Sequence, residues 1–413
     1  MSTSTMDLVR SGDPMDLYYY DSQTARKQAF PTSVNTKYVQ SFQSLVAGSQ
    51  TFTIPPQTGI QDVAVEFQIN VATSGTNLAL PSGWGYALIK SVSFRYGGSS
   101  QYFLSGDQIL QLALKRQTSK QSMKDIIDLG GNAYQNPAVG SIYANCVLTL
   151  PHASPSGVGK AHPFPTDLLT QQVQVTVEIY NMSQIVTSNG GTVGNITLAA
   201  AQFQVQQVML NNQADALARR VDMAQNAYAF PAEFVQQKQT IALPSGVGGA
   251  GTAPASVVLT GFRSGEVKSI DIWLTRASDY NLNNNGAKAP FNWQLPLSVT
   301  MSYAGDIYSR FENQSSPLWY LINNDKSPAV TVVGTTAVAA ADSELAQWVN
   351  LPFAQTFLDE DAHYVLVHGK PITNGIVNLL VLPPTSQTDW VLNVSYVYNT
   401  VLLMSQGSCD FIF

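Results

Sequence analysis

The sequence predicts an all-β protein built from two tandem β-sandwiches, with short helices confined to the N-terminus, the linker and the loops. Three observations carry this expectation. Stretches rich in Val, Ile, Phe, Tyr and Thr recur along the chain and are punctuated by Pro and Gly. Several of them alternate strictly between apolar and polar residues, the period-two signature of a half-buried strand. The chain also echoes itself. Ala29-Phe30-Pro31 returns as Ala229-Phe230-Pro231, Ile89-Lys90-Ser91-Val92-Ser93-Phe94 as Val267-Lys268-Ser269-Ile270-Asp271-Ile272, and residues 173–179 with Tyr180-Asn181 as residues 391–397 with Tyr398-Asn399. Three echoes in one order point to a duplicated domain.

The elements follow in chain order. Residues 1–35 form an N-terminal arm whose span 16–30 predicts a short helix stopped before Pro31. The first sandwich occupies 36–211, with strands expected at 39–52, 63–71, 87–94, 144–150, 173–179 and 198–210. Val173, Val175, Val177 and Ile179 share one face of their strand, and Gln174, Thr176 and Glu178 the other. Pro55-Pro56, Pro81-Ser82-Gly83, Gly97-Gly98 and Gly130-Gly131 mark turns, and residues 106–117 fit a short helix within a loop.

Residues 212–230 place Ala214, Leu217, Ala218 and Val221 at helical spacing and predict a linker helix. The second sandwich, 231–413, has strands expected at 234–243, 256–260, 267–275, 295–302, 376–382 and 390–404. The glycine-rich run 246–251 lacks the following helix and Lys of a phosphate loop, so it predicts a hairpin tip. Taking Lys90 as the counterpart of Lys268, the second copy carries the longer insertion, about 276–350. Within it the Val-rich stretch 331–339 reads as an exposed tip, or alternatively as a strand in a contact between copies. Regular strands with long loops at one end, doubled, describe two eight-stranded jelly rolls side by side.

A length of 413 residues accommodates two such domains. Charged residues make up only 12% of the chain, about half the usual share. Ser, Thr, Asn, Gln and Gly take their place, which suits a surface buried against other copies, because interface cores are depleted in charge. The net charge is −6 and no run of Lys or Arg exceeds two residues, so a basic arm for packaging nucleic acid is absent. Cys146 and Cys409, 263 positions apart, do not form a disulfide framework or a metal site, and both are expected to be reduced. The first ten residues lack a signal-like apolar region, and no apolar stretch is long enough to span a membrane. Synthesis in a cytosol-like compartment without secretion is expected, leaving the sequons at Asn181, Asn195, Asn313 and Asn393 unused.

Chemistry is sparse. His152 and His162 flank a Ser-Pro-Ser-Gly loop, and His363 and His368 follow the acidic run Asp359-Glu360-Asp361. On a strand, positions 363 and 368 face opposite sides, so a solvated acidic turn describes them better than a metal site. Nucleophile elbows, zinc-protease motifs and paired Cys-x-x-Cys are missing. No catalytic, cofactor-binding or metal-binding residue is assigned, no cofactor is expected, and the chain is read as a non-enzyme.

Leu150-Pro151-His152-Ala153-Ser154-Pro155-Ser156, then Pro163-Phe164-Pro165-Thr166-Asp167-Leu168-Leu169, precede a strand, and residues 259–270 read Leu-Thr-Gly-Phe-Arg-Ser-Gly-Glu-Val-Lys-Ser-Ile. In these segments and in layout the chain resembles the double jelly-roll major capsid proteins of tailless icosahedral DNA viruses, from tectivirus-like phages and adenovirus hexons to virophages and large DNA viruses. In that family residues 259–270 resemble the opening of the second jelly roll. The resemblance implies a homotrimeric, pseudo-hexameric capsomer tiling an icosahedral virion shell, with the insertion after Thr275 as an outward tower. It implies self-association, minor capsid or penton partners, an underlying membrane or other layer between shell and genome, and no direct nucleic-acid binding. An adhesive or carbohydrate-binding β-sandwich spike is the alternative. Such a protein would expose clustered aromatics, whereas Trp84, Trp273, Trp293, Trp319, Trp348 and Trp390 are dispersed in the sequence.

Overall fold

The computed structural model describes residues 33–43, 48–54, 59–73, 77–97, 101–115, 117, 120–150, 164, 166, 169–188, 192–210, 221, 228–280, 291–312, 330–333, 342–345, 348–353, 370–372 and 376–413. The first half begins with β1 (Ser33–Gln43), β2 (Gly48–Thr53), β3 (Gly59–Val71) and β4 (Leu78–Leu80). A short helix α1 (Trp84–Leu88) leads into β5 (Ile89–Tyr96) and β6 (Gln101–Ser105). Two helices, α2 (Gly106–Lys115) and α3 (Lys120–Leu129), precede β7 (Tyr134–Gln135), β8 (Gly140–Leu148), β9 (Val173–Ile179), β10 (Thr187–Ser188) and β11 (Ile196–Leu210).

These strands make two four-stranded antiparallel sheets, ordered β1-β11-β3-β8 and β2-β9-β5-β6, with a small β10-β4-β7 sheet beside them. The alternation read in the sequence is what closes them face to face. Along β9 every second residue, Val173 to Ile179, is buried while Gln174, Thr176 and Glu178 stay half-buried. Val63, Val65, Phe67 and Ile69 of β3 do the same. Phe52 and Phe203, from opposite sheets, stack at 4.6 Å with ring planes 9° apart, an arrangement of the offset-stacked kind that aromatic pairs favour.

The second half repeats the plan. It comprises β12 (Tyr228–Val235), β13 (Gln239–Ala242), β14 (Ala255–Leu259), β15 (Glu266–Arg276), β16 (Ser298–Tyr303) and β17 (Asp306–Glu312). Then come β18 (Val330–Val333), β19 (Asp342–Leu345), β20 (Val349–Pro352), β21 (Lys370–Pro371), β22 (Val377–Leu382), β23 (Trp390–Ser405) and β24 (Ser408–Ile412). One sheet runs β12-β23-β15-β20, with β13, β21 and β24 paired at its margins, and the facing sheet runs β14-β22-β16-β17. Position by position the two sheets match those of the first half. Both halves are eight-stranded jelly rolls, and among the described residues no strand ladder crosses from one to the other.

Several expectations require correction. Residues 39–52, read as one strand, are divided between β1 and β2, which lie in opposite sheets; residues 234–243 are divided between β12 and β13, which both pair with β23 in one sheet. Ala87 and Leu88 belong to α1 and not to the strand that follows. The run 246–251 is not a hairpin tip, because β13 pairs with β23 and β14 with β22; it is a crossing between sheets. β12 begins at Tyr228, inside the span read as linker helix. Two of the echoes are out of register: β5 is the third strand of its sheet's β2-β9-β5-β6 order, whereas β15 belongs to the opposite kind of sheet, and β9 and β23 differ likewise. The physical reason is that alternation marks any half-buried strand, whichever sheet it joins. Residues 259–270 span the β14–β15 connection, so they do not open the second roll.

The insertion read at 276–350 is not one loop either. β16 and β17 are sandwich strands with Val299, Met301 and Phe311 buried, and β20 extends the other sheet. Residues 331–333 are strand: β18 and β19 form their own two-stranded ladder, and β18 lies against α3. The expected helix at 16–30, the Ala29-Phe30-Pro31 echo, all four histidines and most of 150–169 lie outside the described residues, as does the linker apart from Val221, which is helical, and residues 228–230, which open β12.

Two measurements check this core. Phe203→Ala should remove about 3–5 kcal/mol of stability, read as a lowered denaturation midpoint. Cys146 and Cys409 are free and buried, and burial pushes both thiols up. Neither should react with a thiol reagent in the folded chain, and both should react in denaturant; a fast-reacting native thiol would contradict their placement.

Candidate functional site: the buried seam and the open sheet faces

The residues with unusual environments lie between the two rolls. β15 carries two interleaved sets of side chains. Ile270, Ile272 and Leu274 face the interior of the second sandwich, opposite Tyr396, Val394 and Leu392 of β23. Ser269, Asp271, Trp273 and Thr275 face outward, opposite Asn393, Ser395 and Val397, yet all of these are buried as well. An outward sheet face that is polar and still excluded from water needs a cover that supplies partners.

That cover is α2 of the first roll. The sequence starts the helix firmly: Ser105 Oγ donates to Asp107 Oδ1 at 2.5 Å, and the Ser105 amide donates to Gln108 Oε1 at 3.2 Å, one half of a capping box on the first turn. Gly106 is required for close approach, since a Cβ there would lie 2.1 Å from the Ile89 carbonyl oxygen. The turn delivers Gln108, which is fully buried. Its Nε2 donates to the Gln236 carbonyl at 2.8 Å and to Ser395 Oγ at 2.7 Å, while its Oε1 accepts the Lys238 amide at 3.2 Å. Asp107 pairs with Lys238. At the other end of α2, Lys115 pairs with Asp271, whose second oxygen accepts from Asn350 Nδ2 at 2.8 Å. With Asp271 only 1% exposed, the pair is desolvated, and removing one partner would strand a charge.

Aromatic packing flanks this polar centre. Tyr102 of the first roll meets Phe234 at 5.4 Å and Phe411 at 6.0 Å, and Tyr96 meets Phe411 at 6.4 Å. The Arg263 guanidinium lies 4.7 Å from the Phe234 ring centre and 5.5 Å from that of Phe413. Tyr398 accepts the Arg263 amide at 2.8 Å, and burial pushes its hydroxyl up to about 12. Thr170 binds the Gly407 carbonyl through both its amide, at 2.8 Å, and its hydroxyl, at 3.0 Å. At the opposite end of the seam, Trp293 packs on Trp273 at 5.4 Å and Trp348 at 6.5 Å. A Cβ on Gly83 would touch Phe291 at 3.3 Å.

The tryptophans that are dispersed in sequence therefore converge in part, but inside the protein: Trp84, Trp273, Trp293, Trp348 and Trp390 are all buried. None of these five offers an exposed platform. Among the described residues no three His, Cys, Asp or Glu side chains are grouped to hold a metal. Sequence reading missed the seam altogether. Its one available signal was Asp271 between Ile270 and Ile272, a carboxylate on the outward face of a strand otherwise rich in apolar residues.

Among the described residues, two other outward sheet faces carry exposed side chains. On β14-β22-β16-β17, Val258 and Leu380 are outward and exposed, with Ile376 and Ile307 exposed at the margins. The outward face of β2-β9-β5-β6 is polar, with Lys90 bonded to Glu178 at 2.6 Å and Thr51 to Thr176 at 2.8 Å.

Two jelly rolls in one chain, fastened through an outward sheet face, define a double jelly-roll fold. The solved structures it matches share that fold. PBCV-1 VP54, fitted into a cryo-EM reconstruction of the virophage Sputnik, aligns with a TM-score of 0.62 at 12% identity, covering 92% of this chain and 97% of its own. The Sputnik virophage cryo-EM structure aligns at 0.59 and 9% identity, covering 92% and 88%. The Faustovirus major capsid protein aligns at 0.52 and 11% identity, covering 98% and 95%. Comparison of the sequence with protein-family models and with curated proteins gives no match.

The seam's energetics can be tested by a double-mutant cycle. Lys115→Met should cost about 3–5 kcal/mol, because Asp271 is left buried without its cation. The added change Asp271→Asn should recover a large part of that loss, as measured by chemical denaturation. Additive losses would mean that the two side chains do not interact.

Proposed function

We propose that this chain is a major capsid protein. Its copies associate as homotrimers with a pseudo-hexagonal outline, and these tile an icosahedral virion shell. The observation that carries the reading is that two complete jelly rolls are held in one fixed relation by a buried polar and aromatic seam. A chain so built is a rigid two-lobed block, and three such blocks around an axis present six similar lobes. The low charge adds support, since 12% charged residues leave broad uncharged surfaces available for burial between copies. The solved structures of the same fold include viral capsid proteins.

In this reading the rolls are the domains 36–211 and 231–413, joined through 212–230 and preceded by the arm 1–35. The chain is a structural component of the virion, made in the host cytoplasm, and performs no catalysis. Its partners are further copies of itself, then minor capsid or penton proteins and an underlying membrane. With a net charge of −6, direct binding to the genome is not expected. Light scattering of the purified chain should give about three times the 44.6 kDa chain mass, and negative-stain images should show flat hexagonal particles. A monomer at micromolar concentration and neutral pH, or elongated spikes, would refute the reading.

A further inference from the structure

The Asp271 carboxylate holds a group from each roll on its two oxygens. Lys115 of α2 lies on Oδ2, and Asn350 Nδ2 of β20 donates to Oδ1 at 2.8 Å. Asp271 and Asn350 are direct neighbours across β15 and β20, and the Asn350 carboxamide also donates to the Ser269 hydroxyl at 3.1 Å. The surroundings are dry. Asp271 is 1% exposed and the Lys115 side chain 15%, while Trp273, Trp348, Val349 and Leu351 beside them are fully buried. Asp107, the other carboxylate paired across the seam, holds Lys238 together with the Ser105 hydroxyl and the Gln108 backbone amide. Asp271 instead brings a primary amine to a carboxamide, the two groups from which a new amide bond can be made.

We propose that Lys115 and Asn350 join in an isopeptide bond that the folded chain forms within itself, with Asp271 carrying the proton. The ion pair across the seam is the reactant. Asp271 takes one proton from the Lys115 ammonium and leaves a neutral amine. Nζ then attacks Cγ of Asn350, so that the Cγ–Nζ bond forms and the Cγ–Nδ2 bond breaks. Nδ2 takes a second proton from Nζ and departs as ammonia. Nζ keeps its last proton as an amide N–H, and Asp271 remains a neutral acid. Atoms and charge balance without an oxidant or any co-reactant. Three features favour the step. Amine and carboxamide held on one carboxylate react as neighbours rather than as separate molecules. Exclusion of water makes the separated charges unfavourable to maintain and suppresses competing hydrolysis. A protonated Asp271 is a hydrogen-bond donor, suited to polarise the Asn350 carbonyl once the carboxamide turns over. The product ties α2 of the first roll to β20 of the second, so the contact that orients the rolls becomes permanent. The inference is independent of the capsid reading.

Intact-mass spectrometry of the purified, folded chain is the test. The wild type should be lighter than its sequence mass by about 17 Da, the mass of ammonia. Proteolysis should release one branched peptide containing both Lys115 and Asn350. Asn350→Ser, which keeps a hydroxyl beside Asp271, should be folded by circular dichroism and have its full sequence mass, as should Asp271→Asn. On a denaturing gel the wild type should migrate faster than Asn350→Ser, because the cross-link closes a loop that denaturation cannot open. A wild type at full sequence mass after storage in the folded state overturns the proposal. So does loss of ammonia without the branched peptide, since an asparagine that cyclises onto its own backbone loses the same mass. A folded Asp271→Asn that still forms the link overturns the role given to Asp271. If that variant does not fold, the wild-type mass and the branched peptide decide.

Discussion

The structure depends on one constraint: the outward face of β15 and β23 is polar and must nevertheless be dry. Desolvating a carboxylate and several amides or hydroxyls is unfavourable unless each finds a partner of suitable geometry. Gln108 and Lys115, seven positions apart on α2, lie on one side of that helix, close to two full turns apart. They reach Ser395 and Asp271, which are themselves direct neighbours across two strands. The spacing of a helix and the register of a sheet must agree for both contacts to form together. An apolar seam would tolerate sliding, but this one specifies a single relation between the rolls, because any shift leaves a buried charge unpaired.

The aromatic groups on either side have a different role. Tyr96, Tyr102, Phe234, Phe411 and Phe413 at one end, and Phe291, Trp293 and Trp273 at the other, supply non-directional burial. Their burial provides adhesion between the rolls, and the polar centre selects the angle. β24 belongs to both: it pairs with β23 of its own roll and lies against β5 of the first. It ties the last strand of the second sandwich to the first.

The fold class was legible because period-two alternation is a direct consequence of a two-faced sheet. Val173 to Ile179 could be placed as a strand to the residue. Which sheet each strand joins was not legible, because alternation does not encode the partner. That is why residues 89–94 were matched to the wrong strand of the second copy, although the duplication itself is present. Short breaks were also invisible: nothing in 39–52 announces that the chain changes sheets. The insertion was overestimated because β17, Asp-Ile-Tyr-Ser-Arg-Phe-Glu, mixes charged, polar and apolar residues as a loop does, whereas β16 coincides with the strand expected at 295–302. The seam was hidden for a related reason. Asp271 and Ser395 have the composition of a solvated outer face, and only the docking of a helix 156 positions away in sequence, at Lys115, makes that face buried.

The same ambiguity has a consequence for how the two halves hold together. Were the second roll alone in water, Asp271 and Ser395 would be solvated at little cost, as their composition suggests. Phe234 would not be, since it would expose apolar surface now covered by Tyr102 across the seam. The rolls are therefore coupled by the aromatics and oriented by the polar groups. Neither set is dispensable: aromatics alone would allow several docking angles, and the polar row alone would gain little over hydration. A building block that must repeat in register needs both properties. In this chain they are divided between strands: the polar row lies on β15 and β23, and the aromatics that meet across the seam lie on β6, β12 and β24.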